Sequence, residues 1–349
     1  MGVVGCGAIS ERYLETMTKE FGPLLNVVCC CSRGGTSAQT RAAQFGLEAT
    51  DLEGLLRDPR VELVVNLTPA EAHAPIVARA LAAGKHVYTE KTLATRTEDG
   101  RALVEEAKRR GLLLCCAPDT ILSAGVQAAG KALSAGRIGA VTSCEMTMSR
   151  DYGLLYPTLP FLLRPGAGSG ADIGPYFFAT AVYLLGGLKR VAGLVDVSRP
   201  RREGYTVPNE NRFMALLDFQ SGVRGTFHLN ADAGGPERPR IVLYGTAGTL
   251  ELYAPNKFCK RVVLSLPGDG AGVELPMDGG CTELLRGIGV AEMARALRAG
   301  DVPRTDARAA LHVLEAIEGV YESSRTGRCV SLTTAPPATY RYDGAFSLI

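Results

Sequence analysis

Up to about residue 117 the chain alternates short apolar, β-branched runs with segments of helical spacing, and few folds accept that alternation. Residues 25–31, 61–67, 86–89 and 112–116 read as strands; 10–20, 37–45, 51–57, 74–83 and 97–110 read as helices. Strand–helix repetition of this kind builds a doubly wound parallel sheet with helices on both faces. Val3 and Val4 end a first, short strand, and Gly5-Cys6-Gly7-Ala8-Ile9-Ser10 follows it. So short an opening strand predicts that further residues precede Met1. Gly5 and Gly7 fit the first two glycines of a G-x-G-x-x-G turn, with Ser10 at the third. Gly5 allows the tight turn and Gly7 lets the backbone approach a pyrophosphate. The helix that starts near Ile9, just after Ala8, then aims its first amides at that anion.

In such sheets ligands bind beyond the carboxyl ends of the strands. At the tip of the second strand stands Ser32-Arg33-Gly34-Gly35-Thr36, with no carboxylate to hold adenosine ribose hydroxyls. Ser32 and Arg33 suit a phosphate-bearing adenosine, so NADP is favoured and NAD remains possible. The third strand ends at Thr68-Pro69, with His73 opening the next helix, either as a cofactor neighbour or as a cap or packing residue. The fourth strand ends in Glu90-Lys91, a charged pair placed to meet a ligand. A solvated surface ion pair is the plainer alternative.

A chain of 349 residues suits two domains. The first is expected over 1–117 and the second over 118–349, with a draping tail from about 333. In the second, 125–135 reads as a helix, 141–150 as a strand, 154–170 as a Pro- and Gly-rich loop, and 172–185 as a helix. Strand-like runs then dominate at 191–197, 212–219, 222–230, 240–244, 249–252 and 261–266, before helices at 283–299 and 306–324. That order predicts an α+β domain with an open, largely antiparallel sheet packed on helices. His228, on a predicted strand, reads as a packing residue.

Formal net charge is +2, which gives no reason to expect nucleic acid or a membrane surface as partner. Neither a run of 18 apolar residues nor a leader pattern is found. Ten cysteines include the runs Cys29 to Cys31 and Cys115-Cys116. Strand neighbours point to opposite faces, so these are poor disulfide or metal partners. They read as small buried hydrophobes in a reducing cytoplasm, and no metal is expected.

The order of motifs resembles the glucose–fructose oxidoreductase, inositol dehydrogenase and rhizopine-catabolism family (Gfo/Idh/MocA). The likeness runs from Gly2 to about Leu332. It rests on GCGAIS at 5–10, NLTPAEAH at 66–73, AGKHVYTEKTLA at 83–94, GRIGAV at 136–141, DIGPYFFATAVYLLG at 172–186, YGTAGTLEL at 244–252 and RGIGVAEMARAL at 286–297. It implies a Rossmann domain, and a second domain whose open sheet often forms a dimer interface, hence a homodimer or homotetramer.

The family's E-K-P motif matches Glu90-Lys91, with Thr92 in place of proline. The Lys–Pro bond is often cis there, and a cis bond before Thr costs about 3 kcal/mol. The family's D-x-G-x-H-x-x-D motif matches at Asp172 and Gly174, but Tyr176 takes the place of His and Ala179 that of the last Asp. Some members use a Tyr there as acid/base. A phenol can serve if its pKa falls from about 10, as a nearby Lys91 ammonium would favour.

Asp172 would position Lys91 or a substrate hydroxyl, or act only as a helix cap. Tyr176 has packing as its plain alternative. APDTILSAG at 117–125 resembles a subset of the family with sugar-like substrates, which would turn Asp119 and Thr120 toward the substrate. The expectation is an NAD(P)-dependent oxidoreductase for a secondary alcohol of a sugar, glycoside or cyclitol. A catalytically silent dinucleotide-binding regulator and a reductase of a non-sugar diol or imine stand as alternatives.

Overall fold

The computed structural model describes residues 1–164, 166–202, 204–268, 270–277 and 279–344. The chain packs as two units, Met1–Asp119 with Leu284–Leu311, and Thr120–Glu283 with residues 312–344.

The first unit is built from β1 (Gly2–Val4), α1 (Ala8–Glu15), β2 (Cys29–Cys31), α2 (Thr36–Phe45), β3 (Glu48–Thr50), α3 (Leu52–Arg57), β4 (Leu63–Asn66), α4 (His73–Ala82), β5 (His86–Thr89), α5 (Thr97–Arg110) and β6 (Leu114–Cys116). All six strands run parallel in the order β3-β2-β1-β4-β5-β6. The order reverses between β1 and β4, the switch point at which such sheets open a crevice for ligands. Cys29 and Cys31 pack with Leu55, Val64 and Val77, whereas Cys30 packs with Val3, Tyr13 and Val65 on the other face. The triple cysteine is therefore apolar filling for both sides of one strand, and all three thiols are free.

Two features depart from the sequence reading. The strand expected from residue 25 begins only at Cys29, because the amides of Leu24 and Leu25 both bond to the Phe21 carbonyl in a turn. The edge strand β3 carries a largely exposed Glu-Ala-Thr, which has no apolar run to betray it.

Residues 284–311 return to this unit instead of joining the second. Val290, Ala291 and Met293 of the helix Ile288–Ala299 enter the cluster around Tyr13 and Tyr88, and Ala307 and Leu311 enter the other. Each such Val or Met side chain contributes about 1.5–3 kcal/mol when fully buried. Gly289 makes the approach possible: a Cβ there would lie 2.5 Å from the Tyr88 hydroxyl.

The second unit contains α6 (Ala124–Ser134), β7 (Val141–Ser149), α7 (Ser169–Leu185), β8 (Leu188–Asp196), β9 (Arg201–Arg202), β10 (Tyr205–Thr206), β11 (Arg212–Phe219), β12 (Arg224–Asn230), β13 (Arg240–Gly245), β14 (Thr249–Tyr253), β15 (Arg261–Ser265) and β16 (Val273–Glu274). Helices Ile288–Ala299 and Ala307–Thr326 are α8 and α9, and Val330–Ser331 is β17. Nine strands form one sheet in the order β16-β15-β14-β13-β7-β12-β11-β8-β17, antiparallel except for the β7–β12 pair. Phe177 stacks on Phe227 at 4.8 Å, and Phe178 meets Phe213 and Phe227 edge-on, which fixes α7 across one face. The opposite face leaves Leu194, Met214 and Leu216 exposed, with Met214 directly between Leu194 and His228. Among the described residues no helix is long and apolar enough to cross a membrane.

Candidate functional site

The turn after β1 has the geometry of an anion cradle. Gly5 takes φ +97°, and a Cβ there would stand 2.7 Å from the Leu67 backbone, so only glycine fits. Around Gly7 nothing lies within 4 Å of a Cβ, which leaves the backbone open to a pyrophosphate. No side chain caps the N-terminus of α1, and Gly7, Ala8 and Ile9 are exposed. Ser10, at the third glycine position, is buried: its hydroxyl donates to the Gly7 carbonyl at 2.6 Å and accepts from Arg41 Nε at 3.3 Å. The residues present thus fit a dinucleotide phosphate. At the tip of β2, the Ser32 hydroxyl accepts from Ser37 Oγ at 2.9 Å and from the Ala38 amide at 3.2 Å, holding the start of α2, while Arg33 is exposed.

Beyond β4 and β5 the chain is tied at several points. Thr68 donates its hydroxyl to Asn66 Oδ1 at 2.7 Å, and Asn66 Nδ2 donates to Thr89 Oγ1 at 3.1 Å. Pro69 is exposed beside it. His73, fully buried, does not present its ring to a ligand. Its Nδ1 lies 2.5 Å from the Thr92 carbonyl and its Nε2 2.7 Å from the Thr68 carbonyl. Of the sequence alternatives for His73, cofactor neighbour or cap or packing residue, this placement favours packing: the side chain straps together the loops that carry Thr68 and Lys91.

Glu90 is held from two sides. Tyr13 of α1 donates to Oε1 at 2.7 Å, and the Lys91 amide donates to Oε2 at 3.0 Å. Burial first, and the Glu90 charge second, raise the Tyr13 pKa well above 10, so its hydroxyl remains a donor. The Lys91–Thr92 peptide is cis despite the missing proline. Gly5, Gly7, Ala8, Ile9, Thr68, Glu90 and Lys91 all stand at the carboxyl ends of β1, β4 and β5. Tyr13 and Asn66 were not singled out from the sequence; a tyrosine inside the helix that follows the glycine turn was the available signal.

Asp119 and Thr120 do not face a cleft. Asp119 is 0% exposed. It accepts from the Gly287 amide at 2.9 Å and the Gly289 amide at 3.5 Å, and pairs with Arg286 at 3.4 Å. Its carboxylate thus serves the start of α8. Burial pushes its pKa up, against the pull of Arg286 and the Gly287 amide. Thr120 is likewise fully buried. Neither side chain is exposed as the substrate contacts expected of both would suggest.

Asp172 lies in the first turn of α7, whose N-cap is Gly168, so it is not itself the cap. It accepts from the Tyr152 hydroxyl at 2.9 Å. Tyr176 stands one turn further along α7, on the same side as Asp172, and both are partly exposed. Tyr152 was also missed in the sequence, where it sat in an unremarkable loop.

Residues 1–117 match a family model described as an oxidoreductase family with an NAD-binding Rossmann fold, and residues 126–251 match the Gfo/Idh/MocA C-terminal domain. The chain is 25% identical to the D-apiose dehydrogenase of Paraburkholderia graminis over 363 aligned positions, covering 98% of this chain and 93% of that protein. It is 29% identical to the 1,5-anhydro-D-fructose reductase of Ensifer adhaerens over 257 positions, 71% of this chain and 74% of that one. A solved levoglucosan dehydrogenase in complex with NADH and levoglucosan shares the fold, with a TM-score of 0.83 at 20% identity over 95% of this chain and 98% of that one. By both domain models the chain belongs to the Gfo/Idh/MocA family of NAD-binding oxidoreductases.

Proposed function

We propose that the chain is an NAD(P)-dependent dehydrogenase or reductase that interconverts a secondary alcohol and its ketone on a sugar, glycoside or cyclitol. The observation that carries the reading is the clamped Glu90-Lys91 pair: an ammonium-bearing side chain at a strand end, its backbone fixed by Glu90 and by the His73 strap. Sugar-like names among the relatives, D-apiose and 1,5-anhydro-D-fructose, support the substrate class.

Gly5, Gly7, Ala8 and Ile9 would hold the pyrophosphate, Ser32 and Arg33 the adenosine side, and Thr68, Pro69, Glu90 and Lys91 the nicotinamide side. When bound, a nicotinamide dinucleotide supplies the acceptor or donor of the hydride. Lys91 stabilises negative charge on the carbinol oxygen as its proton leaves. Tyr176, as its phenolate, takes that proton in oxidation and, as the phenol so formed, returns it in reduction, while Asp172 holds a neighbouring substrate hydroxyl. NADP is the preferred cofactor in this reading, because Arg33 is an exposed cation at the tip of β2 and the sequence there offers no carboxylate.

The apolar strip of Leu194, Met214 and Leu216 supports a homodimer or homotetramer formed through the open sheet face. Eight of the ten cysteines are buried, which supports reading them as packing residues, and a reducing cytoplasm is the location that goes with this reading. The test is a fluorescence titration of NADPH and NADH on wild type and Arg33→Ala. The reading expects tighter NADPH binding that the substitution weakens about tenfold, with NADH unaffected; equal NADPH affinities for the two proteins would refute the Arg33 assignment.

A further inference from the structure

Asp172 is fixed by a residue that no motif includes. Tyr152 is 4% exposed, and its hydroxyl points at Asp172 Oδ2. Burial, then the Asp172 charge, push its pKa well above 10, so the phenol is a standing donor and not a proton relay. The chain on both sides of this phenol is anchored. The Tyr152 amide donates to the Ala231 carbonyl at 2.8 Å. Asp151 accepts from the Gly153 amide at 2.9 Å and pairs with Arg202 at 2.5 Å. Arg202 is 5% exposed and also pairs with Asp232, which accepts in turn from Asn211 Nδ2 at 2.7 Å and from the Ser198 hydroxyl.

Four separate stretches of chain therefore meet in one largely buried polar cluster: the turn after β7, residues 198–202 leading through β9, Asn211 just before β11, and Asp232 just after β12. A buried ionic cluster is poor evidence of stability in itself. Its geometric effect here is specific: it removes freedom from the backbone that carries the Tyr152 ring.

We propose that Tyr152 is a positioning residue for the substrate: with the Arg202 cluster as its base, it holds the Asp172 carboxylate in the orientation that receives a substrate hydroxyl. This rests on the role given to Asp172 above. A hydroxyl that fixes one oxygen of a carboxylate sets the direction of the other, so the ligand class it selects is a polyol with a hydroxyl beside the reacting carbinol.

The test compares Tyr152→Phe, Asp172→Asn and the double variant, using whichever of D-apiose, levoglucosan and 1,5-anhydro-D-fructose turns over fastest. Tyr152→Phe keeps the ring and removes only the donor. The expected result is a KM raised about tenfold, kcat within about threefold, and an unchanged Kd for the reduced cofactor. In the Asp172→Asn background the same change should add less than about twofold, because the two act as one unit. A packing role would lower the melting temperature without this coupling. Should Tyr152→Phe not fold, Arg202→Lys, which replaces the two nitrogens held by Asp151 and Asp232 with a single ammonium, is expected to raise KM in the same manner, and a wild-type KM there overturns the proposal.

An inert Tyr152→Phe beside a damaged Asp172→Asn overturns the proposal alone, as do multiplicative effects. An inert Asp172→Asn, or no turnover with any of the three sugars, overturns the reading of Asp172 and this proposal with it.

Discussion

Asp119→Ala separates a structural carboxylate from a substrate ligand. The substitution removes a partner of Arg286, whose side chain is 12% exposed, and the acceptor of the Gly287 and Gly289 amides at the start of α8. Breaking a buried pair by deleting one member costs about 3–5 kcal/mol, and an amide left without a partner costs about 1–3 kcal/mol. The length of the ionic contact, 3.4 Å, and the residual exposure of Arg286 argue for the lower end, about 3 kcal/mol.

The loss is local to α8, so amide hydrogen exchange is the assay. At about 1.4 kcal/mol per factor of ten, exchange across Ile288–Ala299 should accelerate about a hundredfold. Asp119→Asn keeps an acceptor for Gly287 and should accelerate it about tenfold at most. Wild-type exchange in α8 together with a tenfold rise in substrate KM would refute the reasoning and return Asp119 to the substrate.

Tyr13→Phe frees one oxygen of Glu90 and should lower kcat about tenfold, the effect of one hydrogen bond near 1.4 kcal/mol; unchanged steady-state kinetics would contradict it. His312 is buried and accepts from the Leu188 amide through Nε2 while Nδ1 faces Thr334 Oγ1, and burial lowers its pKa from the ordinary 6.5 to about 4. A depressed folded pKa means stability that is present above pH 6.5 and lost as pH falls toward 4. Denaturant titrations should show wild type losing about 3 kcal/mol more than His312→Gln across that window. Leu216→Arg puts a charge in the exposed apolar strip; sedimentation should show dissociation to monomers, and an unaltered assembly would exclude that face as the interface.

The legible part of the fold was the part written in local pattern. Gly5 and Gly7 announce a turn that at Gly5 only glycine permits, and the apolar alternation through Cys116 yields the parallel sheet. What escaped was set by contacts remote in sequence. Asp119 stands at a strand end, where the local reading is a ligand, yet its partners lie at 286–289, more than 160 residues on. The spacing of Gly287 and Gly289 was visible, but not that a buried carboxylate would accept from their amides. Likewise Tyr13 meets Glu90 across 77 residues of chain, and the return of 284–311 to the first unit depends on Gly289 fitting against Tyr88. His73 was noticed for its chemistry, but a ring between two carbonyls looks the same in sequence as a ring facing a ligand. Lys91 was identified from its motif, and the tripeptide around it is clamped even with Thr92 in the place of proline.

The most direct measurement is the initial rate of nicotinamide absorbance change with D-apiose, levoglucosan and 1,5-anhydro-D-fructose, for wild type and Lys91→Met at saturating cofactor. The account predicts turnover of at least one sugar by wild type and a loss of about a hundredfold to a thousandfold in kcat for the variant, the scale of removing one charge stabiliser at a developing oxyanion. Equal rates for the two proteins would contradict the assignment of Lys91 and, with it, the mechanism.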